Sequence, residues 1–142
     1  MIETEGFLVV RAGSERYGIG LRTVREVVDV PVPRPVPSRT PALRGVMPLR
    51  DRFLSLVHLG ALLAGGPPAP AMGDTAVVVE LGETAVALEV DEVLEVVERG
   101  ATFVGSAPAA WSAGVWRVGT ELVTVIDPAA LAERLTAIEE PR

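Results

Sequence analysis

The two halves of this 142-residue chain repeat one another when the sequence is shifted by 69 positions, and the alignment needs no gap. The most similar blocks are VREVVD at 24–29 and VLEVVE at 93–98. Two pairs of glycines align under the same shift, Gly13 with Gly82 and Gly45 with Gly114. Such a repeat predicts two copies of one supersecondary unit packed into a duplicated fold.

The boundaries of the two copies follow from the same alignment. The first copy covers about residues 6–65, and the second covers about 75–135. The segment between them, about 66–74, is rich in glycine and proline and is typical of a connection. We therefore expect one domain over residues 1–142 that contains two subdomains.

Short apolar runs of strand length, separated by tight turns, make up most of each copy. The predicted hairpins are 7–12 with 17–21, 45–49 with 53–57, 76–81 with 84–90, and 114–118 with 121–126. Gly13 and Gly82 lie at two of the turns, where a residue that tolerates positive φ lets a hairpin close. This pattern predicts small barrels or sandwiches rather than a parallel sheet. Because 49% of the residues are hydrophobic, we expect strands buried on both faces or exposed apolar patches.

Helix signals occur at the end of each copy. Asp127 can cap a helix that starts at Pro128, and apolar residues recur at the i, i+4 and i+7 positions from Leu131. The corresponding segment of the first copy, 59–64, is short because glycines follow it. The proline-rich segment 31–37 is predicted to be a sheet edge or a polyproline II connection.

Composition excludes several classes of function. The chain has no cysteine and one histidine, which rules out disulfides and thiolate or multi-histidine metal sites. Its net charge of -6 argues against nucleic-acid binding. The longest apolar segment, 53–65, is too short to span a bilayer and the N-terminus is acidic, so we expect a soluble intracellular protein without membrane insertion.

Three segments resemble the family of CheW-type coupling proteins. They are RGVMPLRDRFLSLVHLGALL at 44–63, ALEVDEVLEVVE at 87–98 and WRVGTELVTVIDPAAL at 116–131. The resemblance extends over nearly the whole chain, from about residue 6 to 135. It implies an all-β fold of two SH3-like five-stranded β-barrels with a short C-terminal helix, without catalytic activity, cofactor or metal.

The resemblance also implies a function in bacterial chemotaxis. A CheW-type adapter links the cytoplasmic tip of a methyl-accepting chemoreceptor to the regulatory domain of a CheA-type histidine kinase, in cytoplasmic chemosensory clusters. An alternative within the same class is an accessory adapter that binds receptor but has lost the kinase contact. The kinase-binding residues cannot be assigned from the resemblance.

The receptor-binding residues implied by the resemblance are Glu26, Arg50, Val24, Val27 and Gly45. Glu26 would form an ion pair with Arg50, and the two valines would form an apolar groove or part of the core. Gly45 would meet a backbone requirement. Because the repeat places a glycine at position 119, opposite Arg50, the ion pair can form only in the first copy, where we expect the receptor site.

Several residues depart from the family pattern and mark a divergent member. Pro48 and Asp51 flank the leucine-arginine pair where asparagine and glycine are usual, and His58 stands where aspartate is usual. His58 is either a pH switch or a neutral residue at the end of a strand. Trp111, in a loop of small residues, is a candidate exposed anchor for a partner, whereas Trp116 is predicted to be in the core.

Charge is unevenly divided between the copies. Residues 1–65 contain nine arginines and six carboxylates, and residues 66–142 contain four arginines and thirteen carboxylates. This asymmetry predicts weak, salt-sensitive self-association or a similar contact with a kinase domain. Two less favoured alternatives remain, namely a polyproline ligand at 33–37 and a carboxylate-based Ca²⁺ or catalytic site. The carboxylates of the second alternative are Glu89, Asp91, Glu92, Glu95 and Glu98.

Overall fold

The computed structural model of the protein describes residues 6–33, 40–65 and 73–139. The part of the chain it describes contains eleven strands and two helices. The strands are β1 Phe7–Ala12, β2 Glu15–Gly20, β3 Val24–Asp29, β4 Leu43–Leu49, β5 Arg52–His58, β6 Thr75–Leu81, β7 Thr84–Val90, β8 Glu92–Val97, β9 Thr102–Gly105, β10 Ser112–Val118 and β11 Glu121–Ile126. The helices are α1 Leu59–Ala64 and α2 Pro128–Glu139.

All four predicted hairpins are confirmed, with strand bounds that differ by at most two residues. Strand β9 was not predicted. Most of the proline-rich segment and of the connection between the copies, residues 34–39 and 66–72, lies outside the described residues.

The strands form two sheets that each combine both copies of the repeat. The six-stranded sheet has the order β8-β1-β2-β11-β10-β9, and the five-stranded sheet has the order β3-β6-β7-β5-β4. The β1-β2 hairpin of the first copy thus joins strands of the second copy, and the β6-β7 hairpin does the reverse. Parallel pairing of β2 with β11 and of β5 with β7 makes these two junctions. The all-β architecture is confirmed, but its sheets exchange hairpins and one has six strands instead of five.

The core depends on strands that are buried on both faces. In β1, Phe7 belongs to the core of the six-stranded sheet, whereas the next residue, Leu8, belongs to the core between the two sheets. In β6, Ala76 and Val77 divide in the same way between the five-stranded sheet and the central core. The repeat therefore conserves which face of each strand points to which core.

Three of the five carboxylates in the predicted acidic cluster pair with arginines: Glu89 with Arg44, and Asp91 and Glu92 with Arg11. Glu89 is almost fully buried, with 3% of its surface exposed. It accepts from Arg44 Nε at 2.7 Å, from Arg44 Nη2 at 3.1 Å and from the Gly73 N–H at 2.8 Å. Asp91 accepts from the Gly13 N–H and pairs with Arg11. The described residues contain no group of three or more carboxylates or histidines that could hold a metal ion.

Both helices begin with side-chain caps at equivalent positions of the repeat. Asp127 Oδ2 accepts from the N–H of Ala130 at 2.9 Å, as its sequence position predicts. His58 Nδ1 accepts from the N–H of Ala61 at 3.0 Å, so the histidine replaces aspartate in the same role. This bond requires an unprotonated Nδ1, so the neutral form of His58 is the form that caps the helix.

The cap at His58 should make stability depend on pH. Burial and the positive charge of Arg44 lower the pKa of His58 below its usual 6.5, against the opposing effect of Glu89 and Asp91. Because the folded pKa lies below the unfolded one, the contribution is complete above pH ~6.5 and is lost as pH falls through the folded pKa. We expect His58→Asn, which keeps a capping oxygen, to remove this part of the pH dependence in urea denaturation from pH 8 to pH 5.

Two further variants separate the cap from the titration. His58→Ala should lower the free energy of unfolding by about 1 kcal/mol at pH 8. Asp127→Ala should cost a similar amount but preserve the pH dependence that His58 produces. If wild type and His58→Asn lose stability equally between pH 8 and pH 5, the role assigned to His58 is wrong.

Candidate functional site

Glu26 and Arg50 form a bidentate ion pair on the surface, as the resemblance implies. Arg50 Nη1 donates to Glu26 Oε2 at 2.5 Å, and Arg50 Nη2 donates to Glu26 Oε1 at 2.8 Å. The side chain of Arg50 is 68% exposed, and that of Glu26 is 29% exposed. The pair therefore presents a fixed guanidinium plane to solvent, with a geometry that a lysine could not reproduce.

The pair connects opposite edges of the five-stranded sheet. Glu26 lies on β3, at one edge, and Arg50 lies in the turn between β4 and β5, at the other edge. Three strands separate these edges in the hydrogen-bonded order, so the sheet must curl for the two side chains to meet. The pair thus lies where the curled sheet closes on itself.

Arg50 adopts a backbone conformation that glycine adopts at the three equivalent turns. Four hairpins close through two-residue turns, and the first turn residue has a φ of 65° at Gly13, 57° at Arg50, 65° at Gly82 and 61° at Gly119. Arg50 is the only residue other than glycine with positive φ in the described part of the chain. An L residue is strained in this region, and such strain is concentrated at functional sites. Arg50 is therefore a candidate functional residue through its side chain, since the backbone of this turn favours glycine.

The pair stays charged over the physiological pH range. Hydrogen bonding to Arg50, with its positive charge, lowers the pKa of Glu26 below the ordinary value. Glu26 in turn raises the pKa of Arg50 through its hydrogen bonds and negative charge. Because both groups are in contact with water, the pair contributes little to stability. Any contribution of the pair to function would come from the charged surface that it forms.

The other residues implied by the resemblance divide between surface and fold. Val27 is 46% exposed and follows Glu26 on β3, so its side chain points to the opposite face of the strand. Val24 is partly buried and packs against the central core. Gly45 is buried, has a φ of 150°, and lies at a bulge in the pairing of β4 with β5. Gly114 has a φ of 138° at the corresponding bulge of the second copy, which supports a backbone role for both glycines.

The prediction that Trp111 is an exposed anchor is wrong. Only 8% of its surface is exposed. Its ring packs edge-on against Tyr17, with 5.6 Å between the centroids, and its Nε1 donates to the carbonyl of Leu63 at 3.2 Å. Trp116 is in the core as predicted, between Phe7 and Phe103. The prediction failed because α1 and β2, which cover Trp111, are distant from it in sequence.

Exposed apolar residues occur at equivalent positions of the two copies and form candidate interaction surfaces. These surfaces were not predicted from the sequence. Phe53 and Leu122 are 58% and 59% exposed, and Val27 and Val96 are 46% and 56% exposed. Each pair is related by the 69-residue shift. The repeat alignment contained the signal, because a conserved apolar position in a strand can serve an interface as well as a core.

These features define a β-sheet scaffold with duplicated apolar surfaces and one charged, strained surface site. The chain belongs to the CheW-like domain family, whose model matches residues 6–136. It is 25% identical over 139 residues to the chemotaxis protein CheW of Treponema pallidum (strain Nichols), covering 89% of this chain and 82% of that protein. Its fold is similar to that of the scaffolding protein TtCheW from Thermoanaerobacter tengcongensis, with a TM-score of 0.72 and 21% identity over 87% of this chain and 89% of that chain.

Reciprocal substitutions at the equivalent turns test whether Arg50 is strained. Gly119→Arg should lower the free energy of unfolding by about 1 kcal/mol, because an L residue then replaces glycine at positive φ. Arg50→Gly should leave stability unchanged or increase it, since it relieves the same strain and loses only an exposed ion pair. Urea denaturation measures both effects.

The matched control is Thr120→Arg, which adds the same side chain at the next residue of the same turn, where φ is not positive. We expect it to be nearly neutral. A large loss of stability in Arg50→Gly would show that the ion pair holds the curled sheet together and would contradict the strain argument.

Proposed function

We propose that this chain is a non-catalytic chemosensory adapter that couples the cytoplasmic tip of a methyl-accepting chemoreceptor to the regulatory domain of a CheA-type histidine kinase. Membership of the CheW-like family supports the adapter class. The observation that carries the proposal is the exposed Glu26–Arg50 pair, whose arginine occupies a strained backbone position that glycine fills at the equivalent turns.

The receptor-binding surface that we propose consists of Glu26, Arg50 and Val27. Arg50 offers an exposed cation, and Val27 offers apolar surface on the other face of the edge strand that carries Glu26, so a partner that covers this sheet edge would contact both. A helical receptor tip with both apolar and acidic side chains fits this combination. Val24 and Gly45 contribute indirectly, by setting the path of β3 and β4.

The proposed location is the bacterial cytoplasm, at clusters of receptors and kinases. No helix in the described residues is long and apolar enough to cross a membrane. Recruitment to the membrane would then depend on the receptor partner.

Phe53 and Leu122, which lie on equivalent strands of the two copies, are further candidate residues for contact with a partner. Arg52 precedes Phe53, whereas Glu121 precedes Leu122, so equivalent apolar residues lie next to opposite charges. Surfaces of this kind favour a head-to-tail contact between different faces. We include in the proposal such contacts with the kinase regulatory domain and with a second copy of this chain, without assigning the kinase-binding residues individually.

Substitution of Arg50 tests the receptor site. The protein is titrated separately with a receptor-tip fragment and with the kinase regulatory domain from the same organism. Arg50→Glu should weaken receptor binding at least tenfold, through repulsion by Glu26 and loss of the exposed cation, and should leave kinase binding unchanged. The matched control is Arg11→Glu, which reverses the charge of another surface arginine paired with carboxylates, Asp91 and Glu92.

A charge swap separates the cation from the pair. The double variant Glu26→Arg, Arg50→Glu keeps an ion pair but reverses its polarity. We expect it to bind receptor as weakly as Arg50→Glu, because the partner contacts the cation at position 50. Full recovery of receptor binding in the double variant would mean that the ion pair only positions the turn.

The binding results also distinguish the alternatives. Receptor binding without kinase binding would identify an accessory adapter and overturn the coupling function. Binding to neither partner would overturn the proposal as a whole.

Weak self-association should depend on salt concentration. Sedimentation at low ionic strength should give an average mass above the 15.0 kDa of the monomer, and the mass should fall toward that value in about 0.5 M salt. Phe53→Ser should weaken the association, whereas Val104→Ser, which replaces an exposed apolar residue of β9, should not. A monomer at both ionic strengths would contradict the expectation.

A further inference from the structure

A groove between α1, α2 and the turn before β4 is not used by the proposed function. Its volume is about 460 Å³, within the range of sites that hold small molecules. Ala42, Ala61 and Leu62 line it and are almost fully buried, and Ile138 lines it from α2. The surface that a ligand would meet is therefore mainly apolar.

The repeat explains why no side chain of the described residues fills this space. Ala42 occupies the position at which the second copy has Trp111. The indole of Trp111 is buried and hydrogen-bonded to the carbonyl of Leu63 in α1. The first copy has only a methyl group at this position, and α2, which runs to Glu139, extends beyond the length of α1 to form one wall of the groove.

Arg134 gives the groove a positive charge. It is the only charged residue among the described residues that line it. Its Nη1 donates to the carbonyl of Leu62 at 3.2 Å, which holds the guanidinium beside the groove. The remaining N–H groups of Arg134 make no hydrogen bond to the described part of the chain, so they are available to a carboxylate.

We propose that this groove binds a small organic acid that combines one apolar ring system with a carboxylate. The ring occupies the space that a tryptophan side chain fills in the other copy, and the carboxylate accepts hydrogen bonds from Arg134. This inference does not depend on the coupling function. It adds a site through which a dissolved metabolite could bind the adapter.

A titration with indole-3-propionate tests the site. Nuclear magnetic resonance of the full ¹⁵N-labelled chain should show saturable shifts in α1, α2 and residues 40–42. The same titration with 3-methylindole, which lacks the carboxylate, should give about tenfold weaker binding, because a charge-assisted hydrogen bond is lost. Absence of saturable shifts, or shifts centred elsewhere, would overturn the proposal.

Substitutions then test the two parts of the proposed site. Ala42→Trp should abolish binding by restoring the missing ring, and Ala137→Phe should block the groove from an exposed position on its rim. The matched control is Ala129→Phe, an exposed alanine of α2 outside the groove, which should bind as wild type. Arg134→Gln should bind indole-3-propionate about as weakly as wild type binds 3-methylindole.

If Ala42→Trp does not fold, binding by Ala137→Phe shows whether the ligand occupies this groove. Undiminished binding by Ala137→Phe would overturn the assignment to this groove. Equal affinity of wild type and Arg134→Gln for indole-3-propionate would overturn the carboxylate class.

Discussion

Burial of β1 and β6 on both faces is the constraint on which the rest of the structure depends. Neither strand has a polar face that could meet water, because alternate residues of each enter two different apolar clusters. Each strand therefore needs one core inside its own curled sheet and another between the sheets. Exchange of the opening hairpins between the copies places both strands in this position. Glu26 and Arg50 lie outside these two strands, on an edge strand and in a turn.

The two copies share a core but differ at their surfaces. The equivalent turns carry Arg50 and Gly119, and the positions before the bulged strands carry Ala42 and Trp111. Each difference adds a feature to the first copy that the second lacks: a strained, ion-paired cation in one case and an open groove in the other. Arg50 lies in an exposed turn, whereas Ala42 lies in the central core, where its small side chain opens a groove that α2 of the second copy completes.

Local signals predicted most of the elements, because turns, alternation and capping act over a few residues. The hairpins and the start of α2 at Asp127 follow from such signals, and the repeat extends them from one copy to the other. Strand β9 was missed because it has only four residues and its counterpart in the first copy is proline-rich. The environment of Trp111 was misjudged because the groups that bury it, Tyr17 and α1, are distant in sequence.

The sequence by itself determined the duplication, the all-β class, the helix cap at Asp127 and, through its resemblance to a known family, the identity of the Glu26–Arg50 pair. Only the tertiary structure decided which hairpin joins which sheet, since both copies have the same apolar alternation and could pair within or between themselves. It also decided that Arg50 carries strained backbone and that Ala42 leaves a groove beside Arg134. These properties arise from contacts between segments far apart in the chain, whose geometry no local pattern of residues specifies.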